Sequence, residues 1–338
     1  MRRLGAGSLL WVSLPSPELS DADRAFLERV DPAGVVIFRE NVRNPGQVRD
    51  LNARIRNSCP SGEVLIAVDQ EGGRVARLRE GVPLLPPMRT LGATNSLETV
   101  REAGAGLGRA LRDLGFDVDF APVLDVDSNP ENPIIGDRSF SSDPEWAGRC
   151  AMAFADGLSS AGILPCGKHF PGHGETDLDS HLALPSVLAD ERLLNERELV
   201  PFRRAIESAI PLMMTAHVVY PAWDRERPAT LSPAIVTGLL KERLGYRGLV
   251  LSDDLLMKAV SGNGVVRAAF GALDAGCDGL LVLKDQGKAL EVLEALERES
   301  IARPERLAPA LERFREWRQK IKIDRTKHGP VPDRGEGR

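Results

Sequence analysis

The chain has 338 residues, of which 42% are hydrophobic, so it is long enough to bury a large core as one domain or two. Its formal net charge is −5 and its isoelectric point is near 5.7. Arginines are scattered, with a basic block only at the C-terminal end, which argues against a nucleic-acid partner. No segment approaches the ~20 apolar residues that cross a membrane, so we expect no membrane partner.

Cysteine usage and the N-terminus both indicate a reducing compartment. The four cysteines lie far apart without a Cys-x-x-Cys pair, which is typical of buried thiols: Cys59, Cys150, Cys166 and Cys277. The apolar run at 9–14 follows two arginines, but it is short and lacks the cleavage site of a signal peptide. We therefore predict a buried first strand and a cytoplasmic protein.

Short apolar runs alternate with amphipathic helical patterns along the chain. The predicted strands lie at 9–14, 34–38, 64–68, 118–120, 162–166, 212–215, 248–252 and 279–283. Residues that favour helix starts lie between them: Ser20, Asn44 with Pro45, Ser96, Asp143 with Pro144, and Ser232 with Pro233. Further helices are predicted at about 199–209 and, as a terminal helix on the outside, at 306–323.

Eight strands, each followed by a helical pattern, predict an α/β protein with a parallel sheet covered by helices. Eight units favour closure into a (β/α)8 TIM barrel over an open doubly wound sheet. The Gly-x-Gly-x-x-Gly fingerprint that often accompanies the open sheet does not follow the first strand. We predict a single domain, with the barrel and its C-terminal helix at 1–325 and a disordered tail at 326–338.

The stretch at 168–181, KHFPGHGETDLDSH, contains three of the five histidines and three acidic residues. Its proline and glycines prevent a helix and allow a mobile loop at the end of a strand. Burying so many titratable groups for structure alone is costly, so we expect chemistry here. Asp179 and His181 are two residues apart, which in extended backbone places them on one side as a general acid and base pair. A surface ion pair is the alternative.

The C-terminal ends of the strands form the active site of such a barrel. Polar residues follow five of the predicted strands: Asp69 after the third, Asp125 and Arg138 after the fourth, Lys168 and His169 after the fifth, His217 after the sixth, and Asp253 and Asp254 after the seventh. The opposite ends carry mainly glycine and small residues. We therefore expect a single polar pocket at this rim.

Asp253 and Asp254 open a short predicted helix after the seventh strand. Asp253 is a candidate nucleophile or base on a rigid element, and Asp254 is the better candidate for capping the helix. Alternation along the fifth strand predicts that Lys168 and His169 leave it on opposite faces, so that one enters the pocket while the other is packed.

The sequence does not determine the roles of two further histidines, His173 and His217. His173 lies between two glycines, and we predict that it holds the conformation of its own loop in preference to contacting substrate. His217 is as compatible with a core histidine as with one that lines the pocket.

Together these residues resemble the signatures of glycoside hydrolase family 3, in its single-domain β-N-acetylglucosaminidase branch. The most specific stretches are KHFPGHG at 168–174 with DSH at 179–181, and GLVLSDDL at 248–255. The resemblance extends to DQEGGR at 69–74, APVLD at 121–125, GDRSF at 136–140 and AH at 216–217, and spans about residues 6 to 300. Leu256 departs from the small or polar residue that the family generally has there, which predicts altered packing and unaltered chemistry.

The resemblance implies an exo-acting retaining enzyme that removes terminal N-acetylglucosamine, with peptidoglycan fragments as the substrate in cell-wall recycling. Asp253 would attack the anomeric carbon, and His181, oriented by Asp179, would protonate the leaving oxygen and then activate water. Four side chains would bind the sugar hydroxyls: Asp69, Arg138, Lys168 and His169. We expect no cofactor, no metal and a monomer.

Alternatives remain open. A histidine acid/base leaves room for phosphate as the acceptor, so a related phosphorylase, or a β-glucosidase, fits the same motifs. A metal-dependent barrel hydrolase is suggested by four histidines near acids, although the His-x-His pair that such barrels often use after the first strand is absent. A sugar-binding protein without activity is the third class. The aglycone preference and the oligomeric state are not determined by the sequence.

Overall fold

The computed structural model describes residues 4–176 and 184–321. Their twelve strands are β1 (Leu10–Ser13), β2 (Gly34–Ile37), β3 (Leu65–Val68), β4 (Gln70–Gly72), β5 (Val75–Ala76), β6 (Val118–Asp119), β7 (Leu164–Phe170), β8 (Leu212–Thr215), β9 (Val219–Tyr220), β10 (Asp224–Pro228), β11 (Leu249–Leu251) and β12 (Leu280–Leu281).

The α-helices of the same residues are α1 (Asp21–Val30), α2 (Pro45–Ser58), α3 (Met88–Gly92), α4 (Leu97–Asp113), α5 (Pro144–Ser160), α6 (Glu191–Glu196), α7 (Leu199–Glu207), α8 (Lys258–Ser261), α9 (Val265–Ala275), α10 (Gln286–Ala302) and α11 (Pro304–Lys320). A π-helical segment covers Ala234–Arg243. In the described ranges, no helix combines the length and the apolar character needed to cross a membrane.

Eight parallel strands form one sheet in the order β11-β8-β7-β6-β3-β2-β1-β12. The first and last strands of this order, β11 and β12, also approach each other. Leu251 forms a β-bridge with Gly279, and the backbone N–H of Ser252 donates to the carbonyl of Gly279 at 2.9 Å. The sheet therefore nearly closes on itself with helices around it. This confirms the predicted (β/α)8 barrel in a single domain, and all eight predicted strands are present.

Side chains along each barrel strand alternate between the interior and the surrounding helices. The interior cluster includes Trp11, Leu65, Phe120, Met214 and Leu249. Their neighbours in sequence belong to a larger cluster under the helices, including Val12, Ile66 and Val250. The four cysteines are buried free thiols, as predicted.

The predicted helix starts are confirmed. The side chains of Ser20, Asn44, Ser96 and Asp143 each accept a hydrogen bond from the backbone N–H three residues further on. Ser232 accepts in the same way from Ile235 at 3.3 Å. These caps satisfy N–H groups that have no partner inside the helix, and they fix where each helix leaves the barrel.

The sequence predicted that the terminal helix lies on the outside of the barrel, and this prediction was wrong. α11 begins at Pro304 and lies across the end of the barrel where the strands begin. Phe314 and Trp317 join the interior cluster, and Trp317 Nε1–H donates to the carbonyl of Pro211, directly before β8, at 3.1 Å. α11 therefore forms the floor of the barrel. The predicted tail at 326–338 lies outside the described residues.

Candidate active site

At the opposite end of the barrel, four charged side chains come together from the end of β3, from β4, from β7 and from the loop after β6. Lys168 Nζ lies 2.7 Å from Asp69 Oδ1 and 2.6 Å from Glu71 Oε1. Arg138 forms a two-point ion pair with Glu71, in which the Nε–Oε2 and Nη2–Oε1 distances are both 2.8 Å. Three residues that the sequence assigned to sugar binding thus meet around a fourth, Glu71, that it did not assign.

The members of this network keep their charges at neutral pH. Burial raises the pKa of Glu71, but Arg138 and Lys168 outweigh that effect and hold the pKa well below its ordinary value. Burial lowers the pKa of Lys168, but Asp69 and Glu71 hold it above its ordinary value. The pKa of Asp69 also lies below its usual range, because Lys168 and Arg77 outweigh burial. Buried charges of this kind are strong hydrogen-bonding partners for hydroxyl groups.

Asp125 fixes a second group at the same rim. Its buried carboxylate accepts hydrogen bonds from the backbone N–H groups of His169 and His173 at 3.1 and 2.8 Å, and its Oδ2 lies 2.7 Å from His169 Nδ1. Burial raises the pKa of Asp125, but His169 outweighs it and the pKa lies below its usual value. The carboxylate therefore orients the ring of His169.

His173 contributes to the conformation of its own loop, which agrees with the prediction. Its Nδ1 lies 2.8 Å from Thr176 Oγ1. Burial, together with the neighbouring His169, lowers the pKa of His173 to about 4, so its ring is neutral near pH 7. A neutral buried ring can stabilise the turn without requiring a counter-ion.

Lys168 and His169 do not lie on opposite faces. Lys168 Nζ contacts Asp69 and Glu71, and His169 Nδ1 contacts Asp125, so both side chains reach acids of the rim. The pairing of β7 with β8 is irregular between Gly167 and Phe170, and the Lys168–His169 peptide bond is cis. Because the register shifts here, the alternation of a regular strand does not apply.

Asp253 and Asp254 are adjacent, yet their environments move their pKa values in opposite directions. Burial raises the pKa of Asp253, but His217 and His169 outweigh burial and hold the pKa below its ordinary value. The backbone N–H of Asp254 also donates to Asp253 Oδ1 at 2.7 Å. Burial raises the pKa of Asp254 itself to about 6. Asp253 is therefore the carboxylate that stays ionised across the neutral and mildly acidic range.

Asp254 does not cap a helix, because the next helix begins only at Lys258. Its Oδ1 accepts hydrogen bonds from the backbone N–H groups of Leu256 and Leu283 at 3.1 and 3.2 Å. It therefore ties the turn after β11 to the chain that follows β12. The expected capping role was wrong, and the side chain instead fixes the backbone beside Asp253.

His217 is both buried and beside the candidate nucleophile, so the two roles left open by the sequence are not exclusive. Its Nδ1 lies 2.8 Å from Thr230 Oγ1, and its Nε2 lies 3.0 Å from the backbone carbonyl of Asp254. Among the interactions that lower the pKa of Asp253, the one with His217 has the largest effect.

Asp179 and His181 lie outside the described residues, so their placement stays a prediction. The described part of their loop has a fixed position near Asp125. A Cβ on Gly174 would lie 1.6 Å from the carbonyl oxygen of Val126, which only glycine permits. Asn132 Nδ2 donates to the carbonyls of His173 and Gly174, both at 2.8 Å.

Comparison with known proteins decides the family. Residues 6–314 match the model described as the glycosyl hydrolase family 3 N terminal domain. The chain belongs to glycosyl hydrolase family 3. It is 39% identical over 295 residues to a β-hexosaminidase of Nitrosomonas eutropha, an alignment that covers 85% of this chain and 84% of that protein. It is 41% identical over 298 residues to a β-hexosaminidase of Thiobacillus denitrificans, covering 85% and 81%.

Solved structures agree with this assignment. A family 3 β-N-acetylglucosaminidase from Paenibacillus sp. str. FPU-7 superposes with a TM-score of 0.90 at 37% identity, covering 94% of this chain and 62% of that one. NagZ from Neisseria gonorrhoeae, in complex with N-trifluoroacetyl-D-glucosamine, superposes with a TM-score of 0.80 at 31% identity, covering 95% of both chains. As a member of family 3, the chain is a glycoside hydrolase.

Two charged side chains of this family 3 rim, Glu71 and Arg77, were not assigned from the sequence. Glu71 follows Asp69 by two residues, and that spacing places both on one side of an extended chain, so a signal was present. Arg77 Nη2 lies 3.3 Å from Asp69 Oδ2. Its place depends on Gln70, whose Oε1 accepts hydrogen bonds from the backbone N–H groups of Arg77 and Leu78 at 2.8 and 2.9 Å. No local pattern predicts that contact.

Proposed function

We propose that this glycoside hydrolase is an exo-acting, retaining β-N-acetylglucosaminidase that removes terminal N-acetylglucosamine from peptidoglycan fragments in cell-wall recycling. The observation that carries the proposal is the contrast between Asp253, whose pKa lies below its ordinary value, and Asp254, whose pKa is raised to about 6. Of these two adjacent carboxylates, Asp253 is the one that stays ionised when the pH falls below about 6. The β-hexosaminidases of Nitrosomonas and Thiobacillus support the choice of substrate.

Asp253 has the properties of a nucleophile that forms a glycosyl ester. Electrostatic interactions with His217, His169 and Lys168 hold the pKa of Asp253 below its ordinary value, so the carboxylate is ionised and able to attack the anomeric carbon. The neighbouring Asp254 takes up a proton at higher pH than Asp253 does, which limits repulsion between the two carboxylates. The separation of their pKa values supports Asp253 as the nucleophile.

The charged network suits a site that holds one sugar by its hydroxyls. Asp69, Lys168 and Arg138 are fixed by one another and by Glu71, and His169 is fixed by Asp125. Because these groups are already oriented, binding a pyranose requires little rearrangement. A ring held in this way presents its anomeric carbon to Asp253 in one orientation.

Asp179 and His181 complete the mechanism as the acid/base pair. His181, oriented by Asp179, donates a proton to the leaving oxygen and then accepts one from the water that hydrolyses the glycosyl ester. His181 is an imidazolium before it donates and a neutral imidazole afterwards, so it never places a second negative charge beside the Asp253 carboxylate, as an ionised acid would. This assignment is supported by the spacing of the two residues and by the family.

The test of the nucleophile is a covalent label. A fluorinated N-acetylglucosaminide whose glycosyl-enzyme turns over slowly should add one sugar mass to the peptide that contains Asp253. Asp253→Ala should lower kcat by about 10³-fold or more, whereas Asp274→Ala, on the outer helix α9, should keep the wild-type rate. A label on another residue, or an active Asp253→Ala enzyme, would overturn the assignment.

The acid/base pair and the acceptor need separate measurements. His181→Ala and Asp179→Ala should slow cleavage strongly when the leaving group is poor and much less when it is a nitrophenolate; an equal loss for both counts against the acid role. Product analysis with N-acetylglucosaminyl-anhydromuramic acid, with and without phosphate, should give free N-acetylglucosamine in both cases. A sugar phosphate as the main product would reassign the protein as a phosphorylase.

We also infer that the enzyme acts in the cytoplasm as a monomer. The substrate proposed here is a fragment that has already been released from the wall, which fits an enzyme inside the cell. Cell fractionation and light scattering test these two points. Activity found mainly in the envelope fraction, or a stable dimer, would contradict them.

A further inference from the structure

A groove beside the candidate sugar site carries an excess of positive charge. It has a volume of about 160 Å³, and its charged lining consists of four arginines and one acid: Arg39, Arg43, Arg77, Arg79 and Glu80. We call it the basic groove. The whole chain has a net charge of −5, so the charge of this cluster is opposite in sign to that of the protein as a whole. Arg77 belongs to both sites, since it also contacts Asp69 at 3.3 Å.

Two buried amide side chains fix the walls of the basic groove. On one wall, Asn41 accepts from the backbone N–H of Phe38 at 2.8 Å and donates to the carbonyls of Leu14 and Ser16 at 2.9 and 3.0 Å, which sets the turn that carries Arg39.

On the other wall, Gln70 binds the backbone of Arg77 and Leu78, which sets the segment that leads to Arg79. Both turns are therefore held from inside the protein. Rigid backbone lowers the entropy cost of presenting a side chain to a ligand.

Two of the four arginines form no ion pair within residues 4–176 and 184–321. Arg43 pairs with Glu18, and Arg77 pairs with Asp69. Arg39 and Arg79 are exposed, and no carboxylate of the described part of the chain lies in ion-pair contact with them. The basic groove therefore offers two guanidinium groups to a ligand from solution.

Two cations on the ring of Phe38 connect the basic groove with the turn that carries the candidate nucleophile. The ring of Phe38 has Arg77 5.7 Å from its centroid and Lys284 Nζ 4.5 Å from it. The charge of Lys284 in turn acts on Asp254, the neighbour of Asp253. Phe38 thus joins the basic groove to Lys284, whose Nζ also lies 3.9 Å from Glu40 Oε1.

We propose that the basic groove binds a carboxylate carried by the substrate beyond its N-acetylglucosamine unit, with Arg39 and Arg79 as the binding residues. The proposal rests on the proposed function and makes it more specific, because it selects acidic aglycones such as muramic acid, with its lactyl carboxylate, over neutral ones. Guanidinium groups bind carboxylates through two parallel N–H···O bonds. The volume of about 160 Å³ suits a substituent and not a whole disaccharide.

The test compares two substrates of the full-length enzyme. One is the disaccharide of N-acetylglucosamine and muramic acid, which carries a carboxylate, and the other is neutral chitobiose. The Arg39→Gln/Arg79→Gln enzyme should show a KM about fivefold higher for the acidic disaccharide, since each exposed ion pair contributes little. Its kcat for that substrate, and both constants for chitobiose, should stay unchanged.

A matched control carries the same change of charge elsewhere. Arg109→Gln/Arg298→Gln removes two exposed arginines from the outer helices α4 and α10 and should leave both KM values unchanged. High salt should raise the KM of the wild-type enzyme for the acidic disaccharide alone, because chloride screens exposed charges.

The outcomes separate the two proposals. If neither disaccharide nor a nitrophenyl N-acetylglucosaminide is cleaved, the proposed function fails, and this inference fails with it. If all are cleaved but the double variant affects both disaccharides equally, or behaves like the control, only the inference is overturned. Calorimetric binding of inorganic phosphate that is lost in the double variant, without any rise in KM for the acidic disaccharide, would also overturn it.

Discussion

Lys168 and Glu71 form a 2.6 Å ion pair in which the two side chains are only 3% and 1% exposed. Glu71 also binds both nitrogens that Arg138 directs at it. One acid therefore neutralises two cations that come from different parts of the barrel. Its negative charge therefore holds Lys168 and Arg138 together at the rim.

Glu71→Gln should destabilise the protein strongly. Glutamine keeps the size of the side chain but leaves Lys168 and Arg138 with a buried excess of positive charge. We expect the free energy of unfolding to fall by about 3 kcal/mol or more, measured by urea denaturation. Glu145→Gln is the control, because its exposed pair with Arg204 should contribute less than about 1 kcal/mol. Equal losses in both variants would contradict the prediction.

Asp125→Asn should weaken the group around His169. The amide oxygen can still accept from the backbone N–H groups of His169 and His173, but the amide nitrogen cannot accept from His169 Nδ1 and the negative charge is lost, so we expect a loss of about 1–3 kcal/mol of stability near pH 7. Since the folded pKa of Asp125 lies below the unfolded value of 3.8, its contribution is present above that value and is lost as the pH falls through the folded pKa. Unfolding measured between acidic and neutral pH should therefore show the two proteins converging below about pH 4.

Glu198→Gln should have an effect of the opposite sign with pH. Glu198 is buried, and burial raises its pKa to about 7 although Arg197 and Ser128 oppose the shift. A raised folded pKa contributes stability below the unfolded value of 4.5 that is lost as the pH rises to about 7. Relative to the glutamine variant, the wild-type protein should lose up to about 3 kcal/mol over that interval and no more above it. A difference that stays constant with pH would refute this.

Trp317→Ala should open the floor of the barrel. The indole is 7% exposed, joins the interior cluster and donates to the carbonyl of Pro211. Removing it should cost about 3–5 kcal/mol, measured as a lower urea midpoint with an unchanged slope. Arg315→Ala on the exposed side of α11 should change stability by less than about 0.5 kcal/mol. If both variants unfold alike, α11 does not support the barrel.

The barrel and most of its rim could be predicted because both depend on short-range patterns. A β-branched run predicts a strand whatever it packs against, and the ends of parallel strands must meet. The same logic placed Asp69 near Lys168 and Asp253. It did not extend to Arg77. The backbone N–H groups of Arg77 and Leu78 donate across a turn to the side chain of Gln70, and this contact, which no local pattern predicts, decides where that arginine lies.

Two other differences have the same origin. The helical spacing of Phe314 and Trp317 shows that one face of α11 is buried, but an outer layer and a barrel floor both bury such a face. Alternation predicted opposite faces for Lys168 and His169, and an irregularity in the pairing of β7 changed that. In each case the deciding contact joins residues far apart in sequence.

The position of α11 also affects how the protein is made. Its aromatic side chains complete the barrel interior, so a chain still attached to the ribosome cannot finish its core until residues 304–320 have emerged. Until then the strands synthesised earlier would expose apolar side chains to solvent, and such exposure favours aggregation and chaperone binding. Folding of the barrel should therefore be completed late in translation or after it.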